Sequence, residues 1–217
     1  MRRYKHFHRK EKKKEVKGLL FVIREILVTV GEAVAVVALA WFIVRSALLK
    51  TPVIDSSMEP TLKQGTMIIV DKVRYRFTGP KRMDVIVYKQ AGREHSYLEM
   101  SRVLGLPGET IRIKNGIIYI NDSPLKETLA VETITNSGLA EDGVTLGNDE
   151  YFVLGDNRNN SEDSRFANVG NIIKSDIIGK AVATEKPFAF VSGLNLLENE
   201  KKSSEAASGS SVSLSKE

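Results

Sequence analysis

Cysteine is absent from this 217-residue chain, so it holds no disulfide, no thiolate nucleophile and no cysteine-ligated metal site. The absence leaves the compartment open, because oxidising compartments permit disulfides without requiring them. Histidine is scarce as well. Of the three present, His6 and His8 sit in a basic N-terminal arm, which leaves His95 for chemistry elsewhere. A basic folded region is also missing. The formal charge is +5, yet residues 1–25 carry ten Lys/Arg against three acids, and from Arg45 onward 22 basic residues face 23 acidic ones. A nucleic-acid binder needs a basic face on its folded domain, so no nucleic-acid partner is expected. The length suits one domain with a sizeable core, plus a tether and a tail.

What is present begins with one long apolar run. Residues 26–44 are apolar or small, with Glu32 the single charge and Thr29 the single hydroxyl. At about 1.5 Å rise per residue this crosses most of a hydrocarbon core of about 30 Å, and the run extends through Leu49. A buried core helix seldom follows so basic an arm, and a cleaved signal peptide has a shorter apolar region and a small-residue cleavage site. A single membrane span is the reading retained. The positive-inside bias places residues 1–25 as a cytoplasmic arm and residues 26–49 as a transmembrane helix in the cell membrane. The remainder lies outside, with Trp41 and Phe42 suited to the interfacial belt. Glu32 is costly in lipid unless it snorkels or meets a partner helix.

Beyond Lys50 the pattern changes to short β-type runs broken by Gly, Pro and Asn/Asp: residues 66–70, 84–88, 102–104, 151–154 and 177–183. Residues 110–120 carry isoleucines on either side of Asn115-Gly116, a strong hairpin signal. A mostly β domain over residues 50–197, partly closed or packed sheet on sheet, follows. Residues 125–149 are polar and read as an insertion or long loop. Residues 198–217 are rich in Lys, Glu, Ser and Ala and read as a disordered tail.

Four blocks in this domain carry chemistry. The first is Asp55-Ser56-Ser57-Met58-Glu59-Pro60-Thr61-Leu62, soon after the apolar run. Then come Arg82-Met83-Asp84-Val85-Ile86-Val87-Tyr88 and Arg102-Val103-Leu104-Gly105-Leu106-Pro107-Gly108-Glu109. The last is Gly155-Asp156-Asn157-Arg158-Asn159-Asn160-Ser161-Glu162-Asp163-Ser164-Arg165. Taken alone, the serine block reads more readily as a turn than as a nucleophile. All four in this order, after one N-terminal span, resemble the type I signal peptidases of bacteria over roughly residues 20–190.

The resemblance implies a mostly β, type I signal peptidase-like domain tethered by one N-terminal transmembrane helix. It implies a serine endopeptidase that removes signal peptides from exported preproteins at the lipid bilayer, using a Ser–Lys dyad without metal or cofactor. On it, Ser57 falls at the nucleophile, with its own N–H as half of the oxyanion hole. Ser161 falls at the serine that orients the base. Asp156 falls as partner of Arg102, and Asp163 as partner of Arg165.

Two positions depart from the family pattern. The lysine base should directly precede Arg102, and Ser101 stands there instead. A buried ammonium can lose its proton near neutral pH, and a serine hydroxyl cannot. Losing an acid–base group costs about 10²–10⁴ in rate. His95 is an alternative base, though six residues of extended chain, about 20 Å, separate it from Ser101; Lys89 is another. The second departure is Asp55, whose carboxylate opposes a developing oxyanion if it turns toward Ser57 and is harmless if it points away. Besides the working peptidase, these departures leave an alternative. It is a catalytically impaired paralogue that binds precursors and acts as an assembly or accessory factor, with another signal peptidase as partner.

Overall fold

The computed structural model describes residues 2–90, 97–129, 131–192 and 194. It divides into two compact units, Met1–Ser46 and Ala47–Glu217. The first unit is most of one helix, α1 (Arg2–Ala47). Within it the 28 residues Leu20–Ala47 are long and apolar enough to cross a membrane and form a candidate span. Val36 and Val37, which point to different sides of the helix, are 67% and 68% exposed. An apolar surface open on more than one side suits lipid better than the one-sided burial of a core helix. The hydroxyls in the span bond back into the helix, Thr29 to the Glu25 carbonyl at 2.9 Å and Ser46 to the Phe42 carbonyl at 2.8 Å, as a low-dielectric surround requires.

The apolar run suggests a helix through Leu49, but the helix ends at Ala47. Leu48 and Leu49 open a strand, β1 (Leu48–Pro52), because there they pair with Asp71 and Val70 of β2 (Met67–Asp71). At its other end the helix continues back through the basic arm to Arg2.

The second unit is mostly β. After β1 and β2 come a single helical turn, α2 (Arg74–Phe77), then β3 (Val85–Lys89) and β4 (Leu98–Gly105). β5 (Thr110–Lys114), β6 (Ile117–Ile120), β7 (Ser123–Pro124) and β8 (Val144–Thr145) follow. The described strands end with β9 (Glu150–Leu154), β10 (Ile172–Ile173), β11 (Ile177–Thr184) and β12 (Ala189–Phe190). The larger sheet runs β1-β2-β11-β3-β4-β9-β10, with β12 beside β11, and the smaller runs β7-β6-β5-β8.

β3 is buried on both faces. Val85 and Val87 point into one core with Met58, Leu62 and Val70, while Ile86 and Tyr88 point into another with Val103 and Val153. A third core, under the smaller sheet, gathers Leu104, Ile111, Ile113, Ile118, Phe152 and Leu154. β4 feeds all three, so the element preceding Arg102 is held from both sides. The Asn115-Gly116 turn has φ of 52° and 77°, the pair of positive values a two-residue type I′ hairpin needs. It sets Ile113 opposite Ile118.

Residues 125–149 do more than loop. They contain a 3-10 turn, Gly138–Ala140, and β8, which pairs with β5. The tail expected at 198–217 lies outside the described residues. β1 is an edge strand, and regular pairing stops just past it. The Val53 N–H donates to the Thr66 carbonyl at 2.9 Å and the Gly65 N–H to the Val53 carbonyl at 2.8 Å, and Ile54 beyond them is exposed. The serine block therefore begins where an edge strand leaves its sheet.

Truncating β3 tests this core. Ile86 is fully buried, and Ile86→Ala is expected to lower stability by about 2–5 kcal/mol, read as a lower urea midpoint at unchanged slope.

Candidate active site

Ser57 sits in a turn anchored by the residues after it. Met58 and Leu62 are 0% and 1% exposed. The Leu62 N–H donates to the Met58 carbonyl at 2.9 Å and the Glu59 N–H to the Ser56 carbonyl at 3.1 Å. Burying a side chain such as Met58 is worth about 1.5–3 kcal/mol, which fixes the turn to the core and leaves half-buried Ser57 at an open cleft. The cleft has a volume of about 380 Å³, and Asp55, Ser57, Gln90, Glu99, Asn160 and Ser161 are among its lining residues.

Residues 155–165 clamp this turn from the other side. The Asn157 N–H donates to the Ser57 carbonyl at 2.9 Å, and the Asn157 side-chain amide to the Ser56 carbonyl at 3.1 Å. Gly155 is required for the approach, since a Cβ there would lie 2.6 Å from the Ser57 carbonyl oxygen and 2.5 Å from the Ser161 Cβ.

Two buried ion pairs stiffen the clamp. Arg102 reaches from β4 to Asp156, Nε to Oδ1 at 2.7 Å and Nη2 to Oδ2 at 2.5 Å, and also donates to the Met83 carbonyl at 2.9 Å. The Thr61 hydroxyl donates to Asp156 as well, tying the serine turn into the pair. Arg165 grips Asp163 through Nε at 2.7 Å and Nη2 at 2.8 Å. Asp163 Oδ2 further accepts the Gly155 N–H at 3.1 Å and the Ser161 hydroxyl at 2.5 Å. The remaining two blocks are joined by Arg82, whose Nη1 and Nη2 donate to the Glu109 carboxylate at 2.9 and 2.6 Å.

Some supports carry no local sequence signal. Buried Arg158 forks onto Glu127, Arg165 donates to the Asn136 carbonyl at 3.0 Å, and the Thr135 N–H donates to Asn159 at 3.0 Å. All three partners belong to residues 125–149, so the expected insertion braces the last block. Acids and arginines about thirty positions apart announce nothing until the chain folds.

Ser101 lies on β4 and is 3% exposed. Its hydroxyl is 3.3 Å from the Tyr88 hydroxyl of β3. Burial pushes the Tyr88 phenol up, so the pair is neutral and offers no proton acceptor near pH 7. Lys89 is exposed at the end of β3, opposite Leu98. His95 lies outside the described residues. The Ser57 hydroxyl donates a hydrogen bond to Asp55 Oδ1 at 2.5 Å, and the Ser57 N–H donates to the same oxygen at 3.0 Å. The carboxylate thus faces the serine.

The family model described as "Signal peptidase, peptidase S26" matches residues 24–184. This chain belongs to that family. It is similar to signal peptidase I of Leptolyngbya laminosa, 38% identical over 59% of this chain and 64% of that protein, just under two thirds of its length. It is also similar to signal peptidase I U of Bacillus subtilis strain 168, 38% identical over 76% of this chain and 90% of that one. A crystal structure of a signal peptidase I from Enterococcus faecalis V583 is 28% identical, with a TM-score of 0.38, covering 48% of this chain and 97% of that one. Family and relatives support a signal peptidase function, that of a serine endopeptidase.

Two measurements probe the supporting network. Asp156→Ala leaves the Arg102 guanidinium buried without its partner and is expected to cost about 3–5 kcal/mol, read by chemical denaturation. Burial alone raises the Glu109 carboxyl. The Arg82 fork and the Leu106 N–H outweigh it and hold the group below the usual carboxylate range. A depressed carboxyl stabilises above its unfolded value, about 4.3, and that contribution fades as pH falls. The stability gap between wild type and Glu109→Gln should therefore be constant above about pH 5 and shrink below about pH 4.

Proposed function

We propose that this protein is a membrane-tethered signal peptidase of the S26 family acting on exported preproteins. The basic arm lies in the cytoplasm, the candidate span Leu20–Ala47 crosses the bilayer, and the β unit works on the far side. Positive-inside bias supports this orientation. A preprotein's cleavage region adds as an extended strand where β1 leaves its sheet, with small side chains in shallow pockets and its scissile carbonyl at Ser57. Ser57 Oγ attacks the carbonyl carbon, and the Ser57 N–H supplies one oxyanion donor. Ser161, Asp163 and Arg165 hold the wall opposite, and Arg102 with Asp156 fixes the turn. Ser101, at the family's lysine position, contributes a neutral hydroxyl.

The observation that carries this reading is Ser57 at an open polar cleft. Its carbonyl is clamped by Asn157 and its hydroxyl is already bonded to an acceptor. The test is cleavage of a signal-peptide-bearing preprotein by the full-length protein in detergent micelles. Wild type is expected to release the signal peptide, and Ser57→Ala to fall to background, a loss of up to about 10⁶. Precursor binding without Ser57-dependent cleavage would instead identify the accessory paralogue.

A further inference from the structure

Resting on that reading, the site raises the question of what takes the proton from Ser57 when the lysine position holds Ser101. The geometry points to Asp55: we propose that its carboxylate is the general base of this peptidase. Asp55 Oδ1 stands 2.5 Å from Ser57 Oγ, within the range of a charge-assisted O–H···O⁻ bond and close enough for direct transfer. Both partners line the cleft that would receive the peptide. Ser101 and Tyr88, by contrast, bond to each other in the core, both nearly inaccessible.

The step balances without a further reactant. As Ser57 Oγ bonds to the scissile carbonyl carbon, its O–H bond breaks and the proton passes to Asp55. The tetrahedral intermediate collapses, the C–N bond breaks, and protonated Asp55 delivers the proton to the leaving amine. Water then attacks the acyl-enzyme and gives a proton to Asp55. Ser57 Oγ leaves with that proton as the new carboxyl terminus departs.

The second bond to Asp55 shapes this cycle. The same oxygen accepts the Ser57 N–H at 3.0 Å, which places a carboxylate on a donor the oxyanion needs. A protonated carboxyl oxygen is a poorer acceptor than an ionised one. Proton transfer therefore loosens Asp55 from the N–H as negative charge builds on the substrate oxygen. One residue would remove the proton and uncover the donor in the same event. The cost is that substrate binding must compete with Asp55 for the N–H in the resting enzyme.

The experiment uses the full-length protein in detergent micelles with a preprotein substrate and compares wild type, Asp55→Asn and Asp55→Ala, the last with added sodium formate or sodium chloride at equal ionic strength. Asp55 is exposed, so both variants should fold, with melting temperatures close to wild type. Asp55→Asn is expected to lower kcat by about 10²–10⁴ with KM no higher than wild type, since the neutral amide competes less for the Ser57 N–H. Formate, entering the space left in Asp55→Ala, is expected to restore a measurable part of the lost kcat, and chloride is not. A carboxylate that only shaped the turn would give no formate-specific rescue. Asp55→Asn working at the wild-type kcat, or Asp55→Ala indifferent to formate, overturns the proposal and leaves the peptidase reading intact. Wild type without Ser57-dependent cleavage overturns that reading, and this proposal with it.

Discussion

The buried pair of Arg102 and Asp156 is the constraint on which the site depends. Each side chain is at most 5% exposed, so both ions have lost water, and their mutual attraction offsets that loss only with good geometry and further hydrogen bonds. The fork geometry supplies the first, and the Met83 carbonyl and Thr61 hydroxyl supply the rest. The pair joins a central strand, the last block and the serine turn at one point. Its contribution is placement more than net stability. A guanidinium with fixed donor directions allows few relative positions for the three segments.

The second pair, Arg165 with Asp163, repeats the device one layer nearer the cleft. Asp163 gathers a guanidinium, a backbone N–H and the Ser161 hydroxyl, so this part of the cleft rests on a hydrogen-bonded polar network, in which buried Arg158 Nε alone among the described residues is left without a partner. Residues 125–149 complete it through Glu127, Thr135 and Asn136. The region of the chain that looks least like structure thus braces the most chemically dense block.

The two departures from the family pattern bear on the same serine. On the resemblance a serine stands at the lysine position, and its hydroxyl turns to Tyr88 in the core. A carboxylate two residues before the nucleophile turns onto the nucleophile. The first leaves the expected proton acceptor missing, and the second presents a carboxylate within hydrogen-bond reach of the serine. Ser–carboxylate and Ser–lysine arrangements share the need for an acceptor within hydrogen-bond reach of Oγ, and in the proposed cycle Asp55, two positions away in sequence, supplies it.

The sequence by itself determined the apolar helix, the β character of the remainder, the hairpin at Asn115-Gly116 and the family blocks. These rest on local properties: apolar run length, turn chemistry and residue order. Through the resemblance it also put Ser57 at the expected nucleophile and Ser101 at the expected lysine position. Only the folded structure shows which way Asp55 points, since spacing leaves its rotamer open and its bonds to the Ser57 hydroxyl and N–H fix it. Tertiary structure decided that Leu48 and Leu49 leave the helix, because pairing with β2 outweighs their apolar continuity with it. It also decided that Glu127 reaches Arg158, thirty-one residues away, because a buried guanidinium draws its partner from whatever segment the fold brings near. Residue order and family resemblance put Ser57 at the expected nucleophile; only the folded structure showed the Asp55 carboxylate bonded to it.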